Sequence, residues 1–348
     1  MYPDKDDFVK GIFVERIVNQ LRQADFSVEV VALSNSNLPA IVRYCKFYCL
    51  TFWQLLTRDY DLAYVHYASH SALPVLLARL FRAASPLITH VHGSDVFPED
   101  NTKAWVKYLK VMLSSGLIKH SKRVIVPSPY FYNKMLDRYS VAKHKLHISP
   151  SGGVDTEVFY PKDTTLCRSS PTNIIGFAGR LTADKGLLDF HAALLSLRSK
   201  GLNVEGHIAG DGPHKQSVIQ WQCNGEVKYL GSLKQHDLAE FYRSLNVFVF
   251  PTRRESESLG LVGLEAMACG TPVVAYSGSG PETYISPGQN GFLVTIGDID
   301  GLADAIKKVI DLPYIEYEAM SYSAKSSVKM FSSVDVGAHL IDFIRSEI

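Results

Sequence analysis

Short apolar runs alternate with amphipathic stretches along almost the whole chain of 348 residues. The runs are rich in valine and isoleucine, and such runs separated by helical patterns are typical of parallel strands buried on both faces. The predicted strands are Val28–Leu33, Leu62–His66, Leu87–Val91, Arg123–Val126, Leu146–Ser149, Ile174–Ala178, Val204–Ala209, Val227–Leu230, Val247–Phe250, Pro272–Ala275 and Gly291–Val294. They form two series, which predicts an α/β chain with two doubly wound domains.

The junction between the two series is the stretch Gly152–Pro171, where glycines, prolines and short polar residues leave little periodicity. The length also favours two domains, since a domain usually has roughly 100–200 residues. We expect an amino-terminal Rossmann-like domain over residues 1–155 and a carboxy-terminal one over 156–330. A last helix within 331–348 could pack back on the amino-terminal domain.

The amino-terminal series lacks an opening strand. A doubly wound domain normally begins with one, but here the polar turn Tyr2–Asp7 leads directly into the helical pattern Ile12–Leu21. A missing strand would leave unpaired backbone groups in the sheet. We hypothesise that Met1 is an internal methionine and that about 8–15 upstream residues with one strand are absent.

Charge and composition exclude several classes of protein. Residues 1–150 have 19 Lys and Arg against 12 Asp and Glu, a balance of +7, whereas the whole chain has +1. The basic half suggests an anionic partner, and the near-zero total argues against a nucleic-acid binder. Without a transmembrane run, a signal peptide or paired cysteines, the expected location is the cytoplasm.

The most specific motif is Glu257-Ser-Leu-Gly-Leu-Val-Gly-Leu-Glu265, which follows the strand Val247–Phe250 and enters a helix, Gly260–Ala268. Amides at this helix start would point outward and favour an anion. The two carboxylates are far enough apart to hold different parts of one elongated ligand. Such a pair on its own is more often a helix cap and a solvated helix residue.

Together with the following Gly-Thr-Pro-Val-Val-Ala, this motif resembles the Glu-x7-Glu motif of retaining GT-B glycosyltransferases, in particular family 4. The resemblance extends from Tyr2 to about Ile310. It implies two Rossmann-like domains facing a cleft and transfer of a hexose-type sugar from a nucleotide-diphospho-sugar, with retention. A UDP- or GDP-sugar is the expected co-substrate, without a cofactor held by protein side chains.

A second segment, Gly176-Phe-Ala-Gly-Arg180-Leu-Thr-Ala-Asp-Lys185-Gly186, places two cations on one loop before a helix, Gly186–Ser199. Arginine and lysine in this position suit a diphosphate, and the resemblance implies this contact for both. It also implies that turns near Tyr229 and Leu230 line the nucleobase pocket.

In the front half, His92 lies in His90-Val-His-Gly-Ser-Asp95 at a strand end, and the resemblance implies that it approaches the donor sugar. His90 could be structural, and Asp95 could be a cap. Gly11 matches a loop glycine that lets the backbone approach the diphosphate. The predicted catalytic residues are thus Glu257 and His92; the predicted donor-binding residues are Gly11, Arg180, Lys185, Tyr229, Leu230, Ser258, Leu259, Gly260, Leu261, Val262 and Glu265.

The segment before Glu257 departs from the family pattern. Pro251-Thr-Arg-Arg-Glu255-Ser256 is two residues longer than usual, which makes Glu255 a rival, although only Glu257 has the correct spacing to Glu265.

Other motifs are discounted. The pair Asp298 and Asp300 fits a DxD pattern but precedes a helix, so capping is favoured, and Asp4 and Asp6 lie in a polar opening loop. We therefore predict no protein-bound metal. The chain has no GxGxxG after a strand, no phosphate-binding P-loop and no GxSxG elbow.

Two basic and aromatic stretches, Ile41–Trp53 and the helix with Lys103, Lys107 and Lys110, suit an anionic membrane surface, although half-buried helices with solvated lysines would look the same. The opening and the His-Gly-Ser-Asp-Val segment resemble bacterial enzymes of exopolysaccharide, lipopolysaccharide or teichuronic acid synthesis. This resemblance implies a glycan or lipid-linked glycan acceptor at the inner face of the cytoplasmic membrane. The alternatives are a GT-B sugar-nucleotide epimerase and a non-catalytic nucleotide-binding partner subunit.

Overall fold

The computed structural model describes residues 11–33, 38–82, 85–99, 102–161 and 172–348. The chain forms two compact units, Met1–Gly153 with Val334–Ile348 and Val154–Ser333. The helices are α1 Ile12–Gln23, α2 Ala40–Thr57, α3 Ala68–Phe81, α4 Ala104–His120, α5 Pro129–Tyr139, α6 Leu187–Ser199, α7 Lys215–Cys223, α8 Gln235–Arg243, α9 Leu261–Ala268, α10 Ile299–Ile310, α11 Tyr314–Ser327 and α12 Ser333–Glu347. The strands are β1 Ala63–His66, β2 Leu87–His90, β3 Arg123–Val126, β4 Leu146–Ile148, β5 Asn173–Ala178, β6 Val204–Ala209, β7 Val227–Gly231, β8 Val247–Phe250, β9 Val273–Tyr276 and β10 Gly291–Val294.

The sheet of the first unit has four parallel strands in the order β1-β2-β3-β4. Alternate residues of its strands point to opposite faces. On one face, Leu87 packs with Leu117 and Phe131 from the following helices. On the other face, Ile88 packs with Ile17 of α1 and with α12. The sheet is therefore covered on both sides, as a parallel sheet must be.

The last helix, α12, is part of the first unit. Its Glu347 is almost buried and pairs with Arg123, at 2.7 Å, and with Lys122, at 3.2 Å. The ring of Phe343 stacks on His147 with centroids 3.7 Å apart. Apolar packing and a shielded ion pair thus hold the end of the chain on the first sheet.

The sheet of the second unit has six parallel strands in the order β10-β9-β8-β5-β6-β7. The chain builds outward from β5 in one direction through β6 and β7, and then returns to build β8, β9 and β10 on the other side. This is the doubly wound order, and its switch point lies between β5 and β8. Ligands of open α/β sheets bind outside the carboxyl ends of the strands at such a point.

The α/β class with parallel sheets is confirmed, and ten of the eleven predicted strands are present with shifts of one residue or less at either end. The prediction of a strand at Val28–Leu33 is wrong, because residues 26–33 belong to no strand. No described backbone group lies beside this segment in a ladder, so the hydrogen bonds that define a strand are not made. The predicted polar turn Tyr2–Asp7 and residues 162–171 of the predicted junction lie outside the described residues.

Candidate functional site

The loops that follow β5 and β8 meet at the switch point of the second sheet. Gly186, before α6, has φ +75°, and a Cβ there would lie 1.8 Å from the carbonyl oxygen of Pro251. Only glycine therefore lets the two loops approach this closely. The contact brings the Arg180–Lys185 loop beside the loop that leads to Glu257.

Glu257 and Lys185 form an ion pair at this point, with side chains only 16% and 17% exposed. Burial by itself would raise the pKa of Glu257, but the charges of Lys185 and Arg254 outweigh it and hold the pKa below its ordinary value. Glu257 is therefore ionised at neutral pH and can accept hydrogen bonds. The rival Glu255 is exposed.

The start of α9 presents unused backbone donors. Gly260 has φ +80°, and a Cβ there would lie 2.4 Å from the ring of Phe250. The amides of Gly260, Leu261 and Val262 donate to no acceptor among the described residues. The helix begins at Leu261, one residue later than predicted, with Ser258 and Leu259 buried beneath the turn. This helix start has the donors and the dipole that favour an anion.

Glu265 lies in the second turn of α9 and is half-buried. The hydroxyl of Tyr242, on α8, donates to one of its carboxylate oxygens at 3.3 Å. Tyr242 is fully buried, and burial raises its pKa well above the ordinary value, so it remains a protonated donor. Tyr242 thus orients the carboxylate of Glu265.

Arg180 follows β5 and is exposed. Its neighbours are engaged: Arg253 makes two hydrogen bonds with Asp189, at 2.7 and 2.8 Å, and Arg254 lies 3.5 Å from Asp184. No carboxylate of the described ranges forms an ion pair with Arg180. Its guanidinium can therefore bind an anion without first breaking an ion pair.

Tyr229 and Leu230, predicted near a nucleobase, differ in what they offer. The register of β6 against β7 shifts after Tyr229, so Leu230 faces no partner residue. The amide of Tyr229 already donates to Gln222 at 2.7 Å, and its hydroxyl donates to the carbonyl of Gly210 at 2.9 Å. The amide and the hydroxyl of Tyr229 are thus already used, which the sequence alone did not show.

These residues lie along one edge of the second sheet. Glu257 follows β8, Arg180 follows β5 and Leu230 is near the end of β7, and the spatial order is β8-β5-β6-β7. The distance from β8 to β7 along this edge is three strand spacings, or about 14 Å. The edge is long enough for an elongated ligand with cations and helix amides near one end.

In the first unit, three histidines gather at the carboxyl ends of β1 and β2. His66 and His90 are paired residues of the two strands. The Nδ1 atom of His66 lies 3.0 Å from Nε2 of His92, and the hydroxyl of Tyr64 lies 2.8 Å from Nδ1 of His90. Burial lowers the pKa of all three histidines, so they are neutral at pH 7.

One ring nitrogen from each of these histidines lies within 4.8 Å of the others, so the group could hold a metal ion. The same 3.0 Å contact between His66 and His92 also fits a hydrogen bond, whose proton would occupy a lone pair that a metal would need. The absence of a protein-bound metal stays a prediction.

Asp95 fixes the loop that carries His92. Its buried carboxylate accepts hydrogen bonds from the amides of His92, Gly93 and Ala68 at 2.8–3.0 Å. Gly11, with φ +83°, directly precedes α1, and the ring of Phe13 lies 4.8 Å from that of His92. The sequence did not single out Tyr64 and His66, although both lie on the predicted strand Leu62–His66 and, being two residues apart, point to the same face of the sheet.

The discounted aspartates have separate outcomes. The side chain of Asp298 accepts a hydrogen bond from the amide of Gly301 at 2.8 Å and caps α10, as predicted. Asp4 and Asp6 lie outside the described residues. Across the described part of the chain, no helix combines the length and hydropathy needed to cross a bilayer.

Two curated relatives illustrate the similarity in sequence. D-inositol 3-phosphate glycosyltransferase 1 of Catenulispora acidiphila is 27% identical over 279 residues, which cover 73% of this chain and 65% of the relative. The capsular polysaccharide biosynthesis glycosyltransferase CapM of Staphylococcus aureus is 32% identical over 143 residues, covering 40% and 37%. The chain thus spans less than two thirds of the length of either relative.

Two solved structures share the fold. Sucrose-phosphate synthase from Thermosynechococcus elongatus matches with a TM-score of 0.78 and 20% identity over 97% of this chain and 93% of the other. Anabaena HepE, solved in complex with UDP, matches with a TM-score of 0.69 and 20% identity over 94% and 89%.

Two family models match the chain in consecutive segments. The model described as glycosyl transferase 4-like domain matches residues 18–152, and the model described as glycosyl transferases group 1 matches residues 167–327. Each model lies mainly in one unit, and together they include Glu257, Arg180 and His92. The chain therefore has the two domains of the GT-B glycosyltransferases, which is consistent with family 4.

Proposed function

We propose that this protein transfers a hexose-type sugar from a nucleotide-diphospho-sugar, a UDP- or GDP-sugar, to a glycan acceptor with retention of configuration. The observation that carries this proposal is the set of groups at the switch point of the second sheet. There the ionised Glu257, Lys185, Arg180 and the amides of α9 are gathered. HepE, which shares the fold, has been solved with UDP and with UDP-glucose.

Each group suits one part of such a donor. The guanidinium of Arg180 and the amides before α9 suit diphosphate oxygens. Lys185 has three N–H donors, so it can hold Glu257 and a phosphate oxygen together. The carboxylate of Glu257 accepts hydrogen bonds from sugar hydroxyls, and the turn at Tyr229 and Leu230 is proposed to line the nucleobase pocket.

The reaction breaks the bond between the anomeric carbon and the diphosphate and forms a bond from the same carbon to an acceptor oxygen. In the retaining reaction that the family implies, the acceptor attacks on the face of the leaving group, and the diphosphate takes its proton. Arg180, Lys185 and the start of α9 stabilise the charge that develops on the diphosphate. Glu257 fixes the position of the sugar.

His92 is proposed to hydrogen-bond with the donor sugar from the first unit. It is neutral because burial lowers its pKa, and its Nε2 atom lies 3.0 Å from Nδ1 of His66. A neutral imidazole has one donor and one acceptor nitrogen, and Nδ1 is the one that does not contact His66. Gly11, in a left-handed conformation before α1, is proposed to leave room for the diphosphate.

We propose that the acceptor is a lipid-linked glycan of a bacterial surface polysaccharide, and that the protein works at the inner face of the cytoplasmic membrane. Helices α2, α3 and α4 expose large apolar side chains: Ile41 at 77%, Trp53 at 64%, Phe81 at 72%, Trp105 at 67% and Tyr108 at 73%. Lys103, Lys107 and Lys110 lie beside the last two. Apolar groups bordered by lysines favour an anionic bilayer surface, and the relative CapM is named for capsule synthesis.

The reaction products distinguish the proposed transferase from an epimerase and from a non-catalytic subunit. An epimerase would invert a carbon of the sugar nucleotide without an acceptor. A non-catalytic subunit would bind a nucleotide and release no product. The intact ion pair of Glu257 with Lys185 favours the transferase over the non-catalytic subunit.

The deciding experiment is a thermal-shift panel of UDP, GDP, ADP and CMP, followed by the matching sugar nucleotides, with and without EDTA. A ligand at 100 times its dissociation constant adds about 2.7 kcal/mol, which is about 5–10 °C for a unit of this size. We expect one diphosphate to stabilise the protein, with no effect of EDTA, and Arg180→Ala to weaken the response. Lys200→Ala is the control, because Lys200 follows the far end of α6.

Equal responses of Arg180→Ala and Lys200→Ala, or none to any nucleotide, would contradict the proposed donor site. Retention is then tested by the anomeric proton signals of the product in NMR. A product with the opposite configuration to the donor would contradict it.

A further inference from the structure

The segment between β8 and Glu257 departs from the family pattern by its length, and no step of the proposed reaction uses it. It contains two consecutive arginines, Arg253 and Arg254, and residues 251–260 belong to no helix or strand. Fixing each residue of such an irregular loop costs conformational entropy. Contacts with other parts of the second unit must therefore hold this loop, and Glu257 with it, in one position.

The side chain of Arg253 connects this loop to helix α6. Its Nε and Nη2 atoms donate to Oδ2 and Oδ1 of Asp189 at 2.7 and 2.8 Å. Two parallel hydrogen bonds from a planar guanidinium fix both the distance and the orientation of the two side chains. The backbone amide of Arg253 also donates to the carbonyl of Asp184, at 2.9 Å. The loop is thus attached to the segment around Lys185 through both the backbone and the side chain of one residue.

Asp189 is a fixed acceptor for this arginine. It lies in the first turn of α6, where the helix dipole favours a negative charge, and its side chain is only 7% exposed. The hydroxyl of Tyr276, a fully buried residue of β9, donates to Oδ2 of the same carboxylate at 2.9 Å. Burial and the nearby Asp189 carboxylate raise the pKa of Tyr276, so its hydroxyl remains a donor at neutral pH. Asp189 is therefore held by both the helix and the sheet, and Arg253 binds to a rigid part of the unit.

Arg254 makes a second connection between the same two loops. Its Nε atom lies 3.5 Å from Oδ2 of Asp184, the residue before Lys185. Its carbonyl accepts a hydrogen bond from the amide of Glu257 at 3.0 Å. Its charge is also one of those that lower the pKa of Glu257. The position of Glu257 therefore depends on where the two arginines are held.

The pairing of Arg253 decides which role it can have. An arginine that already binds a buried carboxylate would have to break this pair before it bound a phosphate, and the carboxylate would be left uncompensated. Arg253 is therefore suited to hold the ligand-binding groups together rather than to bind the donor itself.

We propose that Arg253 is a positioning residue of the donor site. Through Asp189 it holds the loop before Glu257 against the Arg180–Lys185 loop, so that the groups for the sugar and for the diphosphate are aligned before the donor binds. This role rests on the proposed function, in which both loops bind one nucleotide-sugar. Without the contact, only a fraction of the molecules would have aligned loops, and the apparent dissociation constant would rise by the inverse of that fraction.

The test measures the binding of UDP and GDP by titration calorimetry, at a temperature at which every variant is folded. We expect Arg253→Gln to weaken the binding of the preferred nucleotide about 10-fold, which corresponds to a competent fraction of about 10%. Arg253→Lys should have a smaller effect, because lysine keeps the charge but not the two parallel bonds. Arg198→Gln is the control and should leave the affinity unchanged, because Arg198 lies in the last turn of α6 and donates to the carbonyl of Val204.

Asp189→Asn distinguishes a positioning role from a direct contact with the donor. If Arg253 bound a phosphate itself, loss of the aspartate charge would release its guanidinium, and the affinity would stay the same or increase. If Arg253 acts through Asp189, Asp189→Asn should weaken binding about as much as Arg253→Gln does. The double variant should then bind no more weakly than either single variant.

Hydrogen exchange gives a second measurement that needs no nucleotide. In the protein without ligand, the amides of residues 253 and 257 should exchange at least about 10-fold faster in Arg253→Gln than in wild type, because the hydrogen bonds of both amides depend on the position of the loop. If Arg253→Gln is too unstable to purify, Arg253→Lys gives the same comparison with a smaller change.

Four results would each overturn the inferred role of Arg253. These are wild-type affinity in Arg253→Gln, unchanged or tighter binding in Asp189→Asn, equal weakening in Arg198→Gln, and unchanged exchange at residues 253 and 257. A wild-type protein that binds neither UDP nor GDP would instead contradict the proposed function. The exchange measurement would still decide whether Arg253 holds the loop.

Discussion

Replacing Lys185 by methionine should destabilise the second unit because it leaves Glu257 without its main counter-charge. Breaking a fully buried ion pair costs about 3–5 kcal/mol. The two side chains are 17% and 16% exposed, and Arg254 still supplies a positive charge nearby. We therefore expect a loss of about 2 kcal/mol at pH 7, which lowers the melting temperature by about 4–8 °C.

The pH dependence of this loss has a definite sign. The pKa of Glu257 is below its ordinary value in the folded protein and near 4.3 in the unfolded chain. Such a shift contributes stability above the unfolded pKa and loses it as pH falls through the folded pKa. The difference between Lys185→Met and wild type should therefore be full at pH 7 and shrink below about pH 4.

Differential scanning calorimetry at both pH values measures the loss, and a double variant isolates its cause. Lys185→Met with Glu257→Gln should recover most of the stability, because no uncompensated charge remains. Lys215→Met is the control, since Lys215 and its partner Asp211 are 44% and 55% exposed and such pairs contribute little. Additive losses in the double variant, or a loss that does not depend on pH, would refute this reasoning.

Three other changes separate donor binding, loop packing and surface binding. Arg180→Ala should weaken nucleotide binding about 10- to 100-fold in titration calorimetry, because a charge-assisted contact contributes about 1.5–3 kcal/mol. The melting temperature should change little, and an unchanged affinity would remove Arg180 from the site. Gly186→Ala should lower both the melting temperature and activity, because its Cβ would lie 1.8 Å from the Pro251 oxygen; a wild-type melting curve would contradict this. Lys103→Glu with Trp105→Ala should reduce sedimentation with anionic vesicles and leave nucleotide binding intact, whereas equal sedimentation would exclude α4 from a membrane surface.

Most of the fold follows from the sequence because the strands are short, apolar and separated by clear turns. Val204–Ala209, Val247–Phe250 and Gly291–Val294 have the predicted bounds. Val247–Phe250, for example, is buried throughout, which gives a continuous apolar run. The order of the strands does not follow from these patterns, because it depends on which strand edges pair. The sequence therefore predicted the doubly wound class but not the order of the strands.

The segment 28–33 shows why a strand pattern is not sufficient. Its valines and its other apolar residues are typical of a strand, but a strand also needs a neighbour with free hydrogen-bonding groups. That neighbour is not among the described residues, so the local preference remains unsatisfied.

The sequence predicted which charged residues belong to the candidate site, but not which residues form ion pairs or hydrogen bonds with them. The motif singled out Glu257 and the loop singled out Lys185, but their ion pair joins residues 72 positions apart. The same holds for Tyr242, whose hydroxyl reaches Glu265 from another helix. Long-range contacts of this kind depend on the switch point of the sheet and have no local signal.

Helix α12 has a consequence for the order in which the two units can form during synthesis. The second unit is continuous in sequence, so all of its 180 residues, Val154–Ser333, leave the ribosome together. The first unit cannot be completed until α12 is synthesised, because Leu340 and Ile344 of α12 cover Ile17 and Ile88. Ile17 is translated some three hundred residues before α12, and Ile88 some two hundred and fifty residues before it. The unit that is translated first is thus the unit that finishes folding last. Until α12 is made, the apolar face of its sheet is uncovered, and aggregation is avoided by chaperones or by fast completion of the chain.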